Sequence, residues 1–289
     1  MQKEEKYWVW LSQMKGLSIP DVEGLKKQYG SLEEVWNEKN ANHFLECVRK
    51  TIAEQLGKQV YKEQTEHIVK LMENKKVKLV HYQKPSYPYM LKQIYNAPAV
   101  FFLKGTEDIL NTKAIAIIGS RNASDYGKRI AKEMAEGLAK QQYTIISGLA
   151  KGIDTKAHEG ALLANGSTVA VLAGGVDYIY PKENENLYEK ILEKGGAIIS
   201  ENGITCQPEK QDFPKRNRLI SGMAKGVLVV EAAEKSGTGI TVDFALEQGR
   251  DVFAVPGNIT SLQSKGSNRL IKEGAKCVLE VEDILEECK

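Results

Sequence analysis

Ala114-Ile115-Ala116-Ile117-Ile118-Gly119-Ser120-Arg121-Asn122-Ala123-Ser124-Asp125-Tyr126-Gly127 is the stretch on which the fold turns. Five apolar residues run without a polar interruption, and a short Gly-Ser-Arg loop follows. Beyond it, Tyr126, Ile130, Met134 and Leu138 recur every four positions. An unbroken apolar run suits a strand buried on both faces, and the four-residue recurrence is the stripe of an amphipathic helix. The alternation continues, with strand-like runs at 144–146, 168–172, 197–199, 227–230, 252–255 and 277–279. That order predicts an α/β fold built on a doubly wound, mostly parallel sheet. In such sheets ligands bind at the carboxyl ends of the strands.

Upstream the character changes. Residues 1–74 hold all three tryptophans and helix signals, among them a capping box at Ser31-Leu32-Glu33-Glu34, and carry 11 basic against 12 acidic residues. They predict a small helical domain. Residues 75–105 contain Pro85, Pro88 and Pro98 and a strand candidate at 77–82, too apolar for a free linker, so residues 75–289 read as the sheet domain. The 289 residues carry Lys+Arg 40 against Asp+Glu 38, a net charge of +2 that excludes an arginine-rich chain. No spanning-length apolar run and no signal-peptide pattern occurs, so a cytoplasmic protein without membrane contact is expected. Cys47, Cys206, Cys277 and Cys288 form no metal-binding or disulfide pattern, so no metal or other cofactor is expected.

Segment by segment, the neutral total divides. Residues 113–156 carry eight basic against four acidic residues, 208–226 five against two, and 227–289 seven against eleven. The basic stretches fall where strands end. Gly119 permits close backbone approach, Ser120 can donate a hydrogen bond, and Arg121 offers a forked charge suited to phosphate, all before a helix whose N-terminus favours anions. Ser147-Gly148-Leu149-Ala150-Lys151 ends the second strand. Ser236-Gly237-Thr238 ends a later one, as a further candidate anion cradle. Phe213-Pro214-Lys215-Arg216-Asn217-Arg218 is the densest basic cluster, and its aromatic suits a base stacked beside a phosphate backbone. Asp154 and His158 share a helical face, and two readings compete: an acid–base pair, or structural hydrogen bonds pinning the loop.

With these residues the chain resembles the DNA processing protein A (DprA/Smf) family. The resemblance runs in order through Tyr87-Pro88, Ile117-Ile118-Gly119-Ser120-Arg121, Ser147 to Asp154 with Ala157-His158, and Gly174-Gly175-Val176-Asp177 with Tyr180-Pro181. It continues through Ser200-Glu201, Phe213-Pro214 with Arg216-Asn217-Arg218, Ser236-Gly237-Thr238 with Thr241, and Val255-Pro256-Gly257. It implies an extended Rossmann-like domain at 75–289, preceded at 1–74 by a SAM-like or helix-hairpin-helix-like domain. No C-terminal winged helix is expected after the last strand. The resemblance further implies a non-enzymatic homodimer that binds single-stranded DNA, protects it in natural transformation and recombination, and helps load the RecA recombinase. By position, Arg121, Lys215, Arg216 and Arg218 would contact phosphates. Gly119, Ser120, Ser147, Gly148, Lys151, Asn217, Ser236, Gly237 and Thr238 would add further contacts, with Phe213 a candidate for stacking. The alternative is a nucleotide sensor or hydrolase with Gly174-Gly175 and Ser236-Gly237-Thr238 as its pocket and Glu231 or Asp154 as the carboxylate at the sugar. An NAD(P) domain would need fingerprint glycines that this chain lacks.

Overall fold

The computed structural model describes residues 4–234 and 236–288. Helices α1 (Glu5–Leu11), α2 (Ile19–Tyr29), α3 (Leu32–Asn37), α4 (Lys50–Leu56) and α5 (Gln59–Lys75) come first. Then follow β1 (Lys78–His81), the single turn α6 (Tyr89–Lys92), β2 (Val100–Gly105) and β3 (Ala114–Ile118). From there strands and helices alternate: α7 (Asp125–Lys140), β4 (Thr144–Ser147), α8 (Ile153–Leu163), β5 (Thr168–Val171), α9 (Glu185–Glu193), β6 (Ala197–Ser200) and α10 (Asp212–Gly222). The chain closes with β7 (Gly226–Val229), α11 (Thr238–Glu247), β8 (Asp251–Ala254), α12 (Lys265–Lys272), β9 (Lys276–Cys277) and α13 (Glu282–Glu287).

The nine strands among the described residues form one mixed sheet in the order β1-β2-β6-β5-β4-β3-β7-β8-β9. From β6 to β9 every neighbouring pair is parallel, giving the α/β Rossmann-like architecture expected from the apolar runs. The chain winds outward from β3 through β4, β5 and β6, then returns to place β7 on the other side of β3. Loops after β3 and β7 therefore leave in opposite directions, opening a crevice at their carboxyl ends. Two features differ from expectation. Val100–Gly105 is a strand in its own right, antiparallel to both β1 and β6. It lies in the proline-punctuated lead-in, where its apolar run reads as part of one approach to the sheet. The 277–279 run is cut short as a strand: ladder pairing covers Lys276 and Cys277, Val278 N still donates to Ala254 O (3.0 Å), and the Leu279 N–H turns to Asp283 Oδ2 (2.8 Å) at the start of α13.

The N-terminal helices dock on the β1 end of the sheet. Trp8 and Trp10 are fully buried, and the Trp8 ring stacks on His81 at 4.2 Å with planes 6° apart. Each buried indole removes roughly 200 Å² from water, on the order of 5 kcal/mol before ordering entropy is set against it. One apolar core runs from these tryptophans through Leu79, Phe101 and Phe102 to Ile118, Ile199 and Val229. Ser31 caps α3 as anticipated, its Oγ accepting from Glu34 N at 3.2 Å. A second, unanticipated lock holds α2: the Asp21 carboxylate accepts from Ser18 N, Ser18 Oγ and Arg49.

Candidate nucleic-acid interface

A cleft of about 470 Å³ occupies the switch point, bounded by the loop after β3, the first turns of α10 and the N-terminus of α11. The loops after β3 and β7 are drawn together at Gly119, where a Cβ would lie 2.7 Å from the Glu231 carbonyl oxygen and 2.6 Å from Ile153. Ser120 N donates to that carbonyl (2.7 Å), and Ser120 Oγ accepts from Asn122 N (3.1 Å), which closes the turn around Arg121. Arg121 is exposed and has no ion-pair partner among the described residues. Its guanidinium lies over the Phe213 ring, 5.4 Å from the centroid. Phe213 in turn meets Tyr180 edge-on at 5.8 Å, and Tyr180 is half exposed. The rim is thus a row of cation, ring and ring, suited to a phosphate beside unstacked bases.

Helix ends divide the electrostatic work. The N-terminus of α7 is filled from within: Glu231, buried at the end of β7, accepts from Ser124 N (2.9 Å) and Ser124 Oγ (2.5 Å). The anion site expected there is taken by the protein's own carboxylate. The N-terminus of α11 has no side-chain cap, and Ser236, Gly237 and Thr238 present it to the cleft. Its first N–H groups lack intrahelical acceptors and are therefore the donors on offer to an anion.

Beneath the rim lies a buried polar floor. Arg216 is 8% exposed, and its Nη1 donates to the carbonyls of Gly148 (2.9 Å) and Val171. Burial pulls its pKa down to about 10, against the opposing charge of Asp154. Burial pushes the Asp154 carboxyl up, opposed by Arg216 and by the N–H groups of Gly148 (3.1 Å) and Ala150 (3.3 Å), which donate to Oδ2. Asp154 and His158 are not bonded to each other. His158 is fully buried, and its Nδ1 meets Thr168 Oγ1 at 2.7 Å. The Thr168 hydroxyl hydrogen goes to Ile145 O, so Nδ1 must carry the imidazole proton. Of the two sequence readings, the hydrogen bonds favour pinning of the loop.

The cleft brings together Gly119, Ser120, Arg121, Phe213, Arg216, Asn217, Ser236, Gly237 and Thr238. Ser147 is buried behind it, its Oγ donating to Ile117 O (2.6 Å), and Gly148 lies against the Arg216 guanidinium. Lys151 is exposed outside it and paired with Glu183 at 2.6 Å. Lys215 and Arg218 line a separate hollow on the other side of α10, where Arg218 bonds Glu201 (2.6 Å). Tyr180 was the residue missed; its Tyr-Pro motif was visible, but its meeting with Phe213 across 33 positions was not. Among the described residues no group of three or more His, Cys, Asp or Glu could hold a metal ion.

Residues 78–289 match the model of the DNA recombination-mediator protein A family. The chain belongs to that family. It is 44% identical over 202 residues to DNA processing protein DprA of Bacillus subtilis, covering 70% of this chain and 68% of the relative. It is 33% identical over 294 residues to Protein Smf of Synechocystis, covering 98% and 72%. The fold is similar to the crystal structure of Streptococcus pneumoniae DprA, with TM-score 0.78, 36% identity, and 98% and 97% of the two chains covered. It is also similar to Helicobacter pylori DprA, a structure described for its single-stranded DNA binding mode, with TM-score 0.66, 27% identity, and 73% and 94% covered. The DprA family match spans every strand of the sheet and every residue of the cleft. No helix among the described residues is long and apolar enough to cross a membrane.

Proposed function

We propose that this DprA family member binds single-stranded DNA in the switch-point cleft, protects it, and helps load the RecA recombinase during natural transformation and recombination. The observation that carries the reading is the exposed Arg121, without an ion-pair partner among the described residues, over Phe213 and beside the open N-terminus of α11. Such a rim takes a phosphate on the arginine and helix end and a base on the aromatic pair, with no base-edge readout, so binding is sequence-tolerant. The family and the relative described for its single-stranded DNA binding mode support the same ligand. We further propose a cytoplasmic homodimer with no catalytic activity. The two carboxylates weighed for nucleotide hydrolysis are committed elsewhere, Glu231 to Ser124 and Asp154 to backbone N–H groups.

Fluorescence anisotropy with oligonucleotides of mixed and homopolymer sequence, titrated across salt, tests the cleft. Arg121→Ala should weaken all sequences alike and flatten the log K against log salt slope by about 0.7, the value of one single-strand phosphate contact. Equal affinity of wild type and variant would remove the cleft as the binding site. RecA filament formation on coated single strands tests the loading role, and mass in solution tests the dimer.

A further inference from the structure

The first turns of α10 carry cations on two sides. Arg216 lines the sheet cleft and also a second hollow of about 300 Å³, which opens between α10, the end of β6 and the N-terminal helices. Lys215 and Arg218 line that hollow from α10; Lys15, after α1, and Arg49, at the N-cap of α4, line it from the opposite bank. Two carboxylates share it, and both are engaged. Glu201 accepts from Arg218 Nη2 (2.6 Å), and Asp212 Oδ2 accepts from Glu209 N (2.8 Å).

Of the cations, Arg49 is held by Asp21 (2.6 Å) and by the Gly16 carbonyl (2.7 Å), while the two lysines and one nitrogen of Arg218 are less well satisfied. Lys215 is exposed and has no ion-pair partner among the described residues. Lys15 reaches only Glu209, at 3.8 Å between two exposed side chains, a contact worth little. Arg218 Nη1 is enclosed and has no hydrogen-bond acceptor. A buried charged donor without an acceptor is destabilising, and a phosphate oxygen brought within its reach would relieve that cost. Arg216 borders both hollows, which therefore adjoin at the first turns of α10, so one polyanion can occupy both.

We propose that this hollow is a second phosphate-binding station for the same single strand. The strand leaves the sheet cleft over the first turn of α10 and continues between Lys215 and Arg218 on one bank and Lys15 and Arg49 on the other. The N-terminal helices thereby hold part of the DNA. The proposal rests on the single-strand reading above and extends it: the contact surface crosses from the sheet onto the helical segment.

The test is anisotropy with oligo-dT probes of increasing length on the full chain, comparing wild type, Lys15→Glu/Asn96→Asp and Arg121→Ala. Lys15 and Asn96 both border the hollow and stand outside the cleft, and Asn96 already has the positive φ (57°) that Asp tolerates, so the double variant should fold. It should bind the shortest probes as wild type does, bind long probes five- to tenfold more weakly, and show a smaller salt slope only for the long ones. Wild-type binding at every length by the double variant, with Arg121→Ala weakened at every length, would overturn the second station and leave the cleft reading standing. Wild-type binding by both variants would overturn both. A double variant equally weak at all lengths would also overturn the proposal, since a continuation of the track cannot affect probes too short to reach it. A hollow that serves an acidic protein segment instead would give the first of these overturning results.

Discussion

A Cβ on Gly148 would lie 2.6–2.8 Å from three atoms of the Arg216 guanidinium, so a side chain there would push that arginine from its place on the Gly148 and Val171 carbonyls. Arg216 in turn faces the buried Asp154. Removing Arg216 leaves two buried carbonyls without that donor and Asp154 without its offsetting charge, a loss on the order of 3 kcal/mol. Arg216→Ala should therefore lower stability by that amount in urea denaturation, and Gly148→Ala should follow it in direction by displacing the same side chain. Arg121 makes no such internal bonds, so Arg121→Ala should stay within about 0.5 kcal/mol of wild type while losing DNA affinity. Gly148→Ala with an unshifted unfolding midpoint would show that the floor can rearrange around a methyl group. The two arginines read alike in the sequence. Charge counting located both beside the ligand edge, but nothing local distinguishes a rim cation from one held by carbonyls 68 and 45 positions away.

At the scale of the element, α7 shows the same limit of local reading. Its N-terminus follows a loop well suited to anions, yet Glu231, 107 positions onward, occupies it. A charged acceptor at a helix N-terminus contributes about 0.3–2 kcal/mol. Glu231→Gln should cost stability in that range while leaving single-strand affinity unchanged, because Glu231 does not line the cleft. Lost affinity at unchanged stability would instead point to a role for Glu231 in binding. The strands were legible because burial on both faces of a parallel sheet removes polar residues from the run. β2 was not, although Phe101, Phe102 and Leu103 are fully apolar, because antiparallel pairing with β6 joins segments almost a hundred residues apart. In α10 the basic cluster was legible, but not that Arg216 borders both the cleft and the second hollow while Lys215 and Arg218 face the second alone.

For the whole molecule, the net charge of +2 carries little information, and the placement of two imidazoles carries more. His81 joins the N-terminal helices to the sheet through its stack on Trp8, and its Nδ1 has no hydrogen-bond partner. Burial, with Lys84 and Lys26 nearby, lowers its pKa to about 4. His158 sits on α8 against the sheet with Nε2 unpartnered, and burial, reinforced by Arg216, lowers its pKa to about 3. Both folded values lie below the ordinary 6.5, so on acidification the unfolded chain takes up protons first. The stabilisation is complete above pH 6.5 and is lost as pH falls from there through about 4 and then about 3. For His81 alone the loss is on the order of 3 kcal/mol. His81→Phe retains an aromatic ring against Trp8 and removes the titrating group, so its stability should fall less steeply than wild type between pH 6.5 and 4. Urea denaturation at a series of pH values measures this directly. Parallel curves for wild type and His81→Phe would mean that the helix–sheet joint opens, or admits water, before His81 is charged.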